Sequence, residues 1–598
     1  MKRSSRQGFK FLIYSLRLVW QSSPKWSMVN TGIVLLRGAI PLVVLFLIKW
    51  LIDEVGIIVQ QPVGQRQFDD AIWLIAFAGA LFLTNSLASS FGVLAREKQS
   101  HKVNDLVQNL IHNKTTRISY SFFEDPDYQD VYFRAISDAN YRPSRIFFGL
   151  IGLLQSTVTM LLLGGMLLSL NWWMAGLLML ILFPSVYQRM LFSRRMFRLH
   201  RSQTEDERRV AYYNRLLTTR DYAKELRVFN LGDVFRSRFE KLRLALRHKQ
   251  MLLLVRKTKG EVGTQLLTAF AIVFFYGIIV VDTIKGHITQ GTMIMYFLAL
   301  QRGYGYFQDL LSRISSLYED SLFVRNFIEL IGIETGGTQP TAQKPSAFPE
   351  KIIRGIHFQN VSFRYPHNPR WTLDNITFDV QPGETIALVG ANGAGKTTLV
   401  KLLAGLYAPT QGKILIDQTD LSSISQASLA ENMSVIFQDF MLYNTSAREN
   451  IWLGNVNKSV DDPGVEKAAN EAGVHDLISG LKQGYSTTLG NLFQGSEELS
   501  QGEWQRMALA RSFFNNAQVI ILDEPTASLD AFTEARLIGH FREIVQGRTA
   551  FIVSHRLSTI NLADKIAVLE NSRLVEFGPK DELLQKKGAY YKMITALK

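Results

Sequence analysis

Cysteine is absent from all 598 residues, which excludes disulfides, thiolate metal sites, iron–sulfur clusters and thiol nucleophiles. Charge is scarce in a patterned way. Charged residues make up 20% of the chain, yet five blocks before residue 312 hold almost none: 28–52, 71–95, 146–170, 172–192 and 262–281. A hydrocarbon core about 30 Å thick needs roughly 20 apolar helical residues, so each block is long enough to span a membrane. A sixth block, 292–311, is interrupted by Gln301, Arg302 and Asp309 and is counted with them. Beyond residue 350 such blocks are missing and the composition is that of a soluble globular domain. Tandem repeats and low-complexity tracts are absent too.

The net charge of +14 resembles a nucleic-acid signal until it is mapped. Twenty Lys and Arg lie between Arg189 and Lys259, flanking apolar blocks, which suits a cytoplasmic membrane face and no nucleic-acid partner. Lys2, Arg3, Arg6, Lys10, Arg17 and Lys25 precede the first block, whereas the loop after it carries Asp53, Glu54, Asp69 and Asp70 against Arg66 alone. Positive residues therefore mark the inside, and an even number of spans puts both termini in the cytoplasm. The segment Gly8–Trp20 reads as an interfacial helix, since no small-residue cleavage site follows it. Long charged connections after blocks two and four predict helices that project into the cytoplasm. Gly332, Gly336, Gly337, Pro340, Pro345 and Pro349 mark a linker over 332–350, dividing a membrane domain (1–331) from a soluble domain (351–598).

The soluble part carries chemistry. An apolar run, Thr385–Val389, leads into Gly390-Ala-Asn392-Gly393-Ala-Gly395-Lys396-Thr397-Thr398 and then into the helix-like Leu399–Leu406. Strand, glycine loop and helix form the context of a phosphate-binding loop: backbone N–H groups turn toward phosphates, Lys396 adds charge, and Thr397 can ligate Mg²⁺. A second apolar run, Val519–Leu522, ends in Asp523 and Glu524. One acid there can hold hydrated Mg²⁺ and the other can polarise an attacking water.

By these motifs, Ile352 to the C-terminus resembles the nucleotide-binding domain of ABC transporters. Leu499-Ser500-Gln501-Gly502-Glu503 is similar to the family signature L-S-G-G-Q, departing at Gln501 and Glu503. The resemblance implies that Ser500 and Gly502 of one subunit meet the γ-phosphate of ATP bound by another. It further implies adenine stacking on Tyr365, Mg²⁺ contact and domain coupling by Gln438, an interface loop at Asp530, a catalytic Glu524 and a switch histidine, His555. A strand-edge tyrosine, a solvated glutamine and a helix N-cap are the plain alternatives for Tyr365, Gln438 and Asp530.

The membrane part resembles the exporter type, with Tyr120–Tyr128 and Arg220–Phe229 where coupling helices are expected. The expected whole is an α-helical six-span domain followed by an α/β P-loop ATPase, a half-transporter acting as a homodimer or with a related half. Its expected cofactors are ATP and Mg²⁺, and its expected place is the bacterial inner membrane. Leu489-Gly-Asn-Leu-Phe-Gln-Gly-Ser-Glu-Glu-Leu-Ser-Gln-Gly-Glu-Trp504-Gln resembles the version found in lantibiotic-type peptide exporters, so the expected cargo is a peptide. No built-in leader peptidase is expected. A flippase for lipids or lipid-linked oligosaccharides, a multidrug exporter and, in another class, an ATP-gated channel or regulator stand as alternatives; intact Glu524 and His555 argue against the last. Arg37 lies deep in the first block and is expected either to line the substrate cavity, with Gln265 and Arg302 as further candidates, or to pair with Asn85 or Gln155.

Overall fold

A computed structural model describes residues 13–63, 66–139, 142–170, 172–333, 346–366, 368–525, 534–535, 538–539, 541–542 and 545–597. The chain divides into two compact units, residues 1–117 with 126–333, and residues 118–125 with 334–598. Most of the proposed linker, and Asp530, lie outside the described residues.

The first unit is built on six long helices: α1 (Pro24–Gln60), α2 (Asp69–Thr115), α3 (Arg142–Leu170), α4 (Trp172–Ser202), α5 (Gly232–Ile284) and α6 (Gln290–Gly332). Of these, α1, α2, α3 and α5 are long and apolar enough to cross a membrane. The helices run well past the apolar blocks. With 47 residues in α2 and 53 in α5, they reach roughly 70–80 Å at 1.5 Å per residue, more than twice a bilayer core. The apolar stretch sets only where a helix meets lipid; its charged continuation stays helical because neighbours pack on it.

Leu45, Leu163, Phe275, Ile279 and Ala299, from α1, α3, α5 and α6, form one buried cluster. Trp73, Phe82 and Phe270 instead face outward, each more than 70% exposed, as side chains solvated by lipid do. Pro41 sits inside α1 without ending it. In the turn it weakens, Thr159 of α3 donates to the Gly38 carbonyl at 2.8 Å. A second polar tie joins α1 to α2, where Asn30 donates to Gln99 at 2.6 Å and Gln99 to Ser27 at 2.7 Å, all three buried. The N-terminal helix is described from residue 13, and the structure refines its interfacial assignment: Leu18 and Val19 are buried against Val103, Val107, Phe147 and Phe327, while Leu16 and Trp20 stay exposed.

The second unit holds two sheets. One is antiparallel, in the order β2 (Leu373–Val380), β1 (Ile356–Phe363), β4 (Gln411–Ile416), β5 (Thr419–Asp420). The other runs β10 (Arg573–Pro579), β9 (Lys565–Glu570), β3 (Thr385–Gly390), β8 (Thr549–Val553), β7 (Val519–Asp523), β6 (Met433–Ile436), parallel except for β10. All residues of β3, β7 and β8 are buried, which explains their unbroken apolar runs. Phe358 stacks on Phe378 at 4.2 Å between ring centres, with Phe551 edge-on to Phe358, and this contact anchors the antiparallel sheet to the parallel one. The order β3-β8-β7-β6 brings the C-terminal ends of four adjacent parallel strands to one edge, where open α/β sheets bind ligands.

Candidate functional site

Each of those four strand ends delivers predicted residues. The loop after β3 turns through Gly390, Gly393 and Gly395, all at positive φ, before α7 (Lys396–Leu403). Glycine is demanded twice by space as well as by φ. A Cβ on Gly390 would lie 2.1 Å from the Leu569 carbonyl oxygen, and one on Gly395 would lie 2.7 Å from that of Thr372. Asn392 is exposed at the crown of the loop and Thr397 is exposed on the first turn of α7.

Lys396 is buried, and its Nζ donates to the carbonyls of Gly390 at 2.7 Å and Ala391 at 3.1 Å. Burial lowers its pKa, while the carboxylates of Glu524 and Asp523 act in the opposite sense. The cation is thus held inside the loop, next to two acids.

At the end of β7, Asp523 is 2% exposed. Burial pushes its carboxyl up to about 6; the Thr397 hydrogen bond opposes this, Glu524 reinforces it and Lys396 opposes it. The Oδ2 atom is buried without a hydrogen-bond partner. A buried, unsatisfied carboxylate oxygen beside a threonine hydroxyl and a lysine fits a hard divalent cation, which takes oxygen ligands.

Glu524 follows in the left-handed region, at φ 52°, a conformation costly for a residue with a side chain and characteristic of functional sites. Its N–H is fixed by the Val553 carbonyl of β8 at 2.9 Å, and the side-chain amide of buried Gln505 donates to the Glu524 backbone carbonyl at 3.3 Å. The carboxylate is shared by two groups: Gln438, following β6, donates to Oε2 at 3.0 Å, and His555, following β8, places Nε2 3.4 Å from Oε1. Residues separated by more than a hundred positions along the chain therefore meet on one carboxylate. The arrangement can bind a polyphosphate at the loop, hold a cation at Asp523 and Thr397, and set a base beside both.

Tyr365 lies elsewhere on the loop's flank. Its hydroxyl is 3.0 Å from that of Thr398, and its ring packs edge-on to Phe363 and Tyr407. The same cluster receives the 3₁₀ turn Tyr120–Glu124, whose Glu124 pairs with Lys401 at 3.1 Å and accepts from the Tyr407 hydroxyl. Tyr120 meets Tyr407 edge-on.

Ser500 and Gly502 are not joined to the phosphate loop by any described hydrogen bond. Ser500 is the N-cap of α8 (Gln501–Asn515). Its Oγ accepts from the Glu503 N–H at 3.4 Å and its N–H donates to Glu503 Oε2 at 2.7 Å, a capping box that glutamate or glutamine can complete. The departure at Glu503 thus leaves the local geometry of the signature intact. Gln505 and the Glu124 contacts were not singled out from sequence; the Trp504-Gln505 pair within the long signature stretch was the available signal for the first.

In the first unit, Arg37 has no described hydrogen bond to Asn85 or Gln155, and its Nε is buried without a partner.

Comparison with known proteins agrees with this geometry. The family model described as ABC transporter matches residues 373–527. The subtilin transport ATP-binding protein SpaT of Bacillus subtilis is 28% identical over 564 residues, covering 94% of this chain and 89% of the relative. The nisin transport ATP-binding protein NisT of Lactococcus lactis subsp. lactis is 26% identical over 592 residues, covering 98% and 96%. An ATP-dependent lipid A-core flippase of Bordetella avium (strain 197N) is 30% identical over 442 residues, covering 73% and 72%. In fold, a bacterial Atm1-family ABC exporter with ATP bound superposes with TM-score 0.80 at 23% identity, covering 96% of this chain and 98% of that one.

Proposed function

The chain belongs to the ABC transporter family, as a membrane-spanning half-transporter of the exporter type that couples ATP hydrolysis to transport, and on that premise we propose that two copies of it export a peptide across a bacterial inner membrane. The observation that carries the ATPase part is the sharing of the Glu524 carboxylate between Gln438 and His555 beside the Lys396 loop. Glu524 acts as the base toward water, His555 senses the γ-phosphate, and Lys396 with the N–H groups of the 390–398 loop binds the triphosphate. Thr397, Asp523 and Gln438 are the residues that would hold Mg²⁺, whose chemistry is to neutralise charge on the phosphates.

Each site needs a second chain. No described hydrogen bond joins Ser500, the N-cap of α8, or Gly502 to the phosphate loop of the same chain; on the resemblance of the signature they serve a partner's ATP, and because the motifs of this chain are close to complete a homodimer is sufficient. Closure of the pair on two ATP molecules draws on γ-phosphate contacts present only in the closed state, and hydrolysis releases it. Tyr365 stacks on adenine after leaving Thr398. The N- and C-termini lie in the cytoplasm, on the side of the positive residues.

The peptide assignment is supported by the relatives that transport subtilin and nisin and by the signature stretch from Leu489 to Gln505. Lipid flipping has support of its own in the flippase relatives, so the test opposes the two. In proteoliposomes, ATP-driven uptake and ATPase stimulation are measured with lanthionine-class precursor peptides, lipids and dyes. Stimulation by a peptide at micromolar concentration is the expected result, and stimulation by lipid alone would replace the peptide reading.

A further inference from the structure

At the charged end of the membrane unit, α4 and α5 approach closely because Gly260 has no side chain. A Cβ there would lie 2.7 Å from Gln188 Oε1. Beside this contact is a cavity of about 180 Å³ with an apolar floor, Leu191, Phe192 and Leu253, and a rim of cations, Arg189, Arg195, Arg256 and Lys257. One carboxylate, Glu261, faces them, and it is already engaged by Arg189 and by Lys257, each at 3.7 Å. Arg189 also donates to Gln308 at 2.7 Å, and the Lys257 ammonium lies over the Phe192 ring at 4.8 Å. Arg195 and Arg256 are exposed, with no hydrogen bond or ion pair among the described residues. Two guanidinium groups over an apolar floor thus carry no counter-charge.

The location narrows the occupant. The apolar block of α4 ends at residue 192 and that of α5 starts at 262, so the cavity straddles the level at which hydrocarbon gives way to headgroups. A soluble anion would match the rim but not the floor, whereas an acyl chain would match the floor but not the rim. We propose that this cavity binds the phosphate headgroup of an anionic phospholipid, with Arg195 and Arg256 on the phosphate and the first acyl carbons on Leu191 and Phe192, at the membrane end of the cavity. Planar guanidinium forks suit phosphate oxygens, and basic pockets between membrane helices on this side are suited to anionic lipids. The choice of leaflet rests on the orientation proposed above; the pocket chemistry does not.

The test uses the full chain in a neutral detergent, titrated with phosphatidylglycerol while thermal unfolding is followed. Phosphatidylglycerol should raise the melting temperature, and R195Q/R256Q should need roughly tenfold to thirtyfold more of it for half the effect, about one cation's attraction to an anionic surface per arginine removed. R243Q/R247Q removes two exposed cations of the same helix, about 20 and 14 Å along it from Arg256 and beyond the screening length of about 10 Å, and should titrate like wild type. If the double variant folds poorly without lipid, R256Q alone should shift the midpoint in the same direction. Three results would overturn the proposal: an unchanged midpoint in the Arg195 and Arg256 variants, an equal loss in R243Q/R247Q, or glycerol 3-phosphate stabilising at the same concentration as phosphatidylglycerol, which would make the ligand a soluble phosphate. Because unfolding is read without ATP or cargo, failure here leaves the transport reading untouched, and failure of the transport reading leaves this one standing.

Discussion

The two units solve opposite burial problems. In the ATPase unit the strands β3, β7 and β8 are fully buried and the polar groups gather at one strand edge. In the membrane unit Trp73, Phe82 and Phe270 point outward while polar ties such as Asn30–Gln99 lie inside. In water the informative side chain is a buried charge, Asp523 or Lys396; in lipid it is any charge at all, Arg37 or Arg302. A residue's meaning thus depends on its solvent, and mutations in the two units should fail differently.

The largest effect is expected at Glu524. Glu524→Gln keeps the hydrogen-bond partners but removes the base, so hydrolysis should fall by roughly two to four orders of magnitude while ATP binding persists and the closed dimer accumulates. Single-turnover hydrolysis and nucleotide binding, measured separately, check it; wild-type turnover would remove the catalytic role.

Lys396→Ala should act on binding instead. Loss of a charge-assisted contact to phosphate costs about 1.5–3 kcal/mol, or roughly ten- to a hundredfold in ATP affinity. Equal affinities by calorimetry would contradict the loop assignment.

In the other solvent, Arg37→Ala should abolish substrate stimulation of the ATPase while basal turnover stays within about twofold, since the change lies far from the nucleotide in chain connectivity and chemistry. An unchanged stimulation curve in a well-folded variant removes Arg37 from the substrate path.

Asp523 gives a smaller effect with a definite sign. Its folded-state pKa is raised, so its stabilising influence is fully present below the ordinary carboxylate range and is lost as pH rises through about 6. With EDTA and no nucleotide, Asp523→Asn should therefore melt above wild type at pH 7.5, by roughly 2–4 °C, and the difference should close near pH 4. A pH-independent difference would contradict the burial argument.

Smallest is the signature cap. Glu503→Ala should cost about 1 kcal/mol at the start of α8, whereas Glu503→Gln should be nearly neutral; denaturant midpoints distinguish them.

How legible the molecule was from sequence also follows its solvents. Phosphate chemistry prescribes residue types at fixed spacing, so Gly390 to Thr398, Asp523, Glu524, Gln438 and His555 could be read and then found at adjacent strand ends. Contacts that demand only shape left no such trace. Gln505 reaches a backbone carbonyl, and Glu124 reaches Lys401 and Tyr407 from nearly three hundred residues away, a pairing no local pattern announces. In the membrane unit the apolar blocks located the helices but not their ends, because α2 and α5 continue as amphipathic helices once they leave lipid. Four of the six blocks fall on helices with clear span character; α6 carries Arg302 and Asp309, and this interruption blurs the same signal in the structure as in the sequence.

The capping box of Ser500 has a further consequence, one of hydrogen-bond direction. A serine hydroxyl has one proton and two lone pairs. Here one lone pair is occupied by the Glu503 N–H at 3.4 Å, and the serine's own N–H is occupied by the Glu503 carboxylate at 2.7 Å. No described bond takes the hydroxyl proton. The backbone N–H of residue 503 therefore sets the polarity of the helix end: whatever side chain stands there, it makes the Ser500 hydroxyl an acceptor toward its own helix and leaves the hydroxyl proton for whatever approaches, the sense required to meet an anionic phosphoryl oxygen. The Glu503 carboxylate acts one group away, on the Ser500 N–H, so it holds the cap in place while the direction of the hydroxyl hydrogen is left to the backbone.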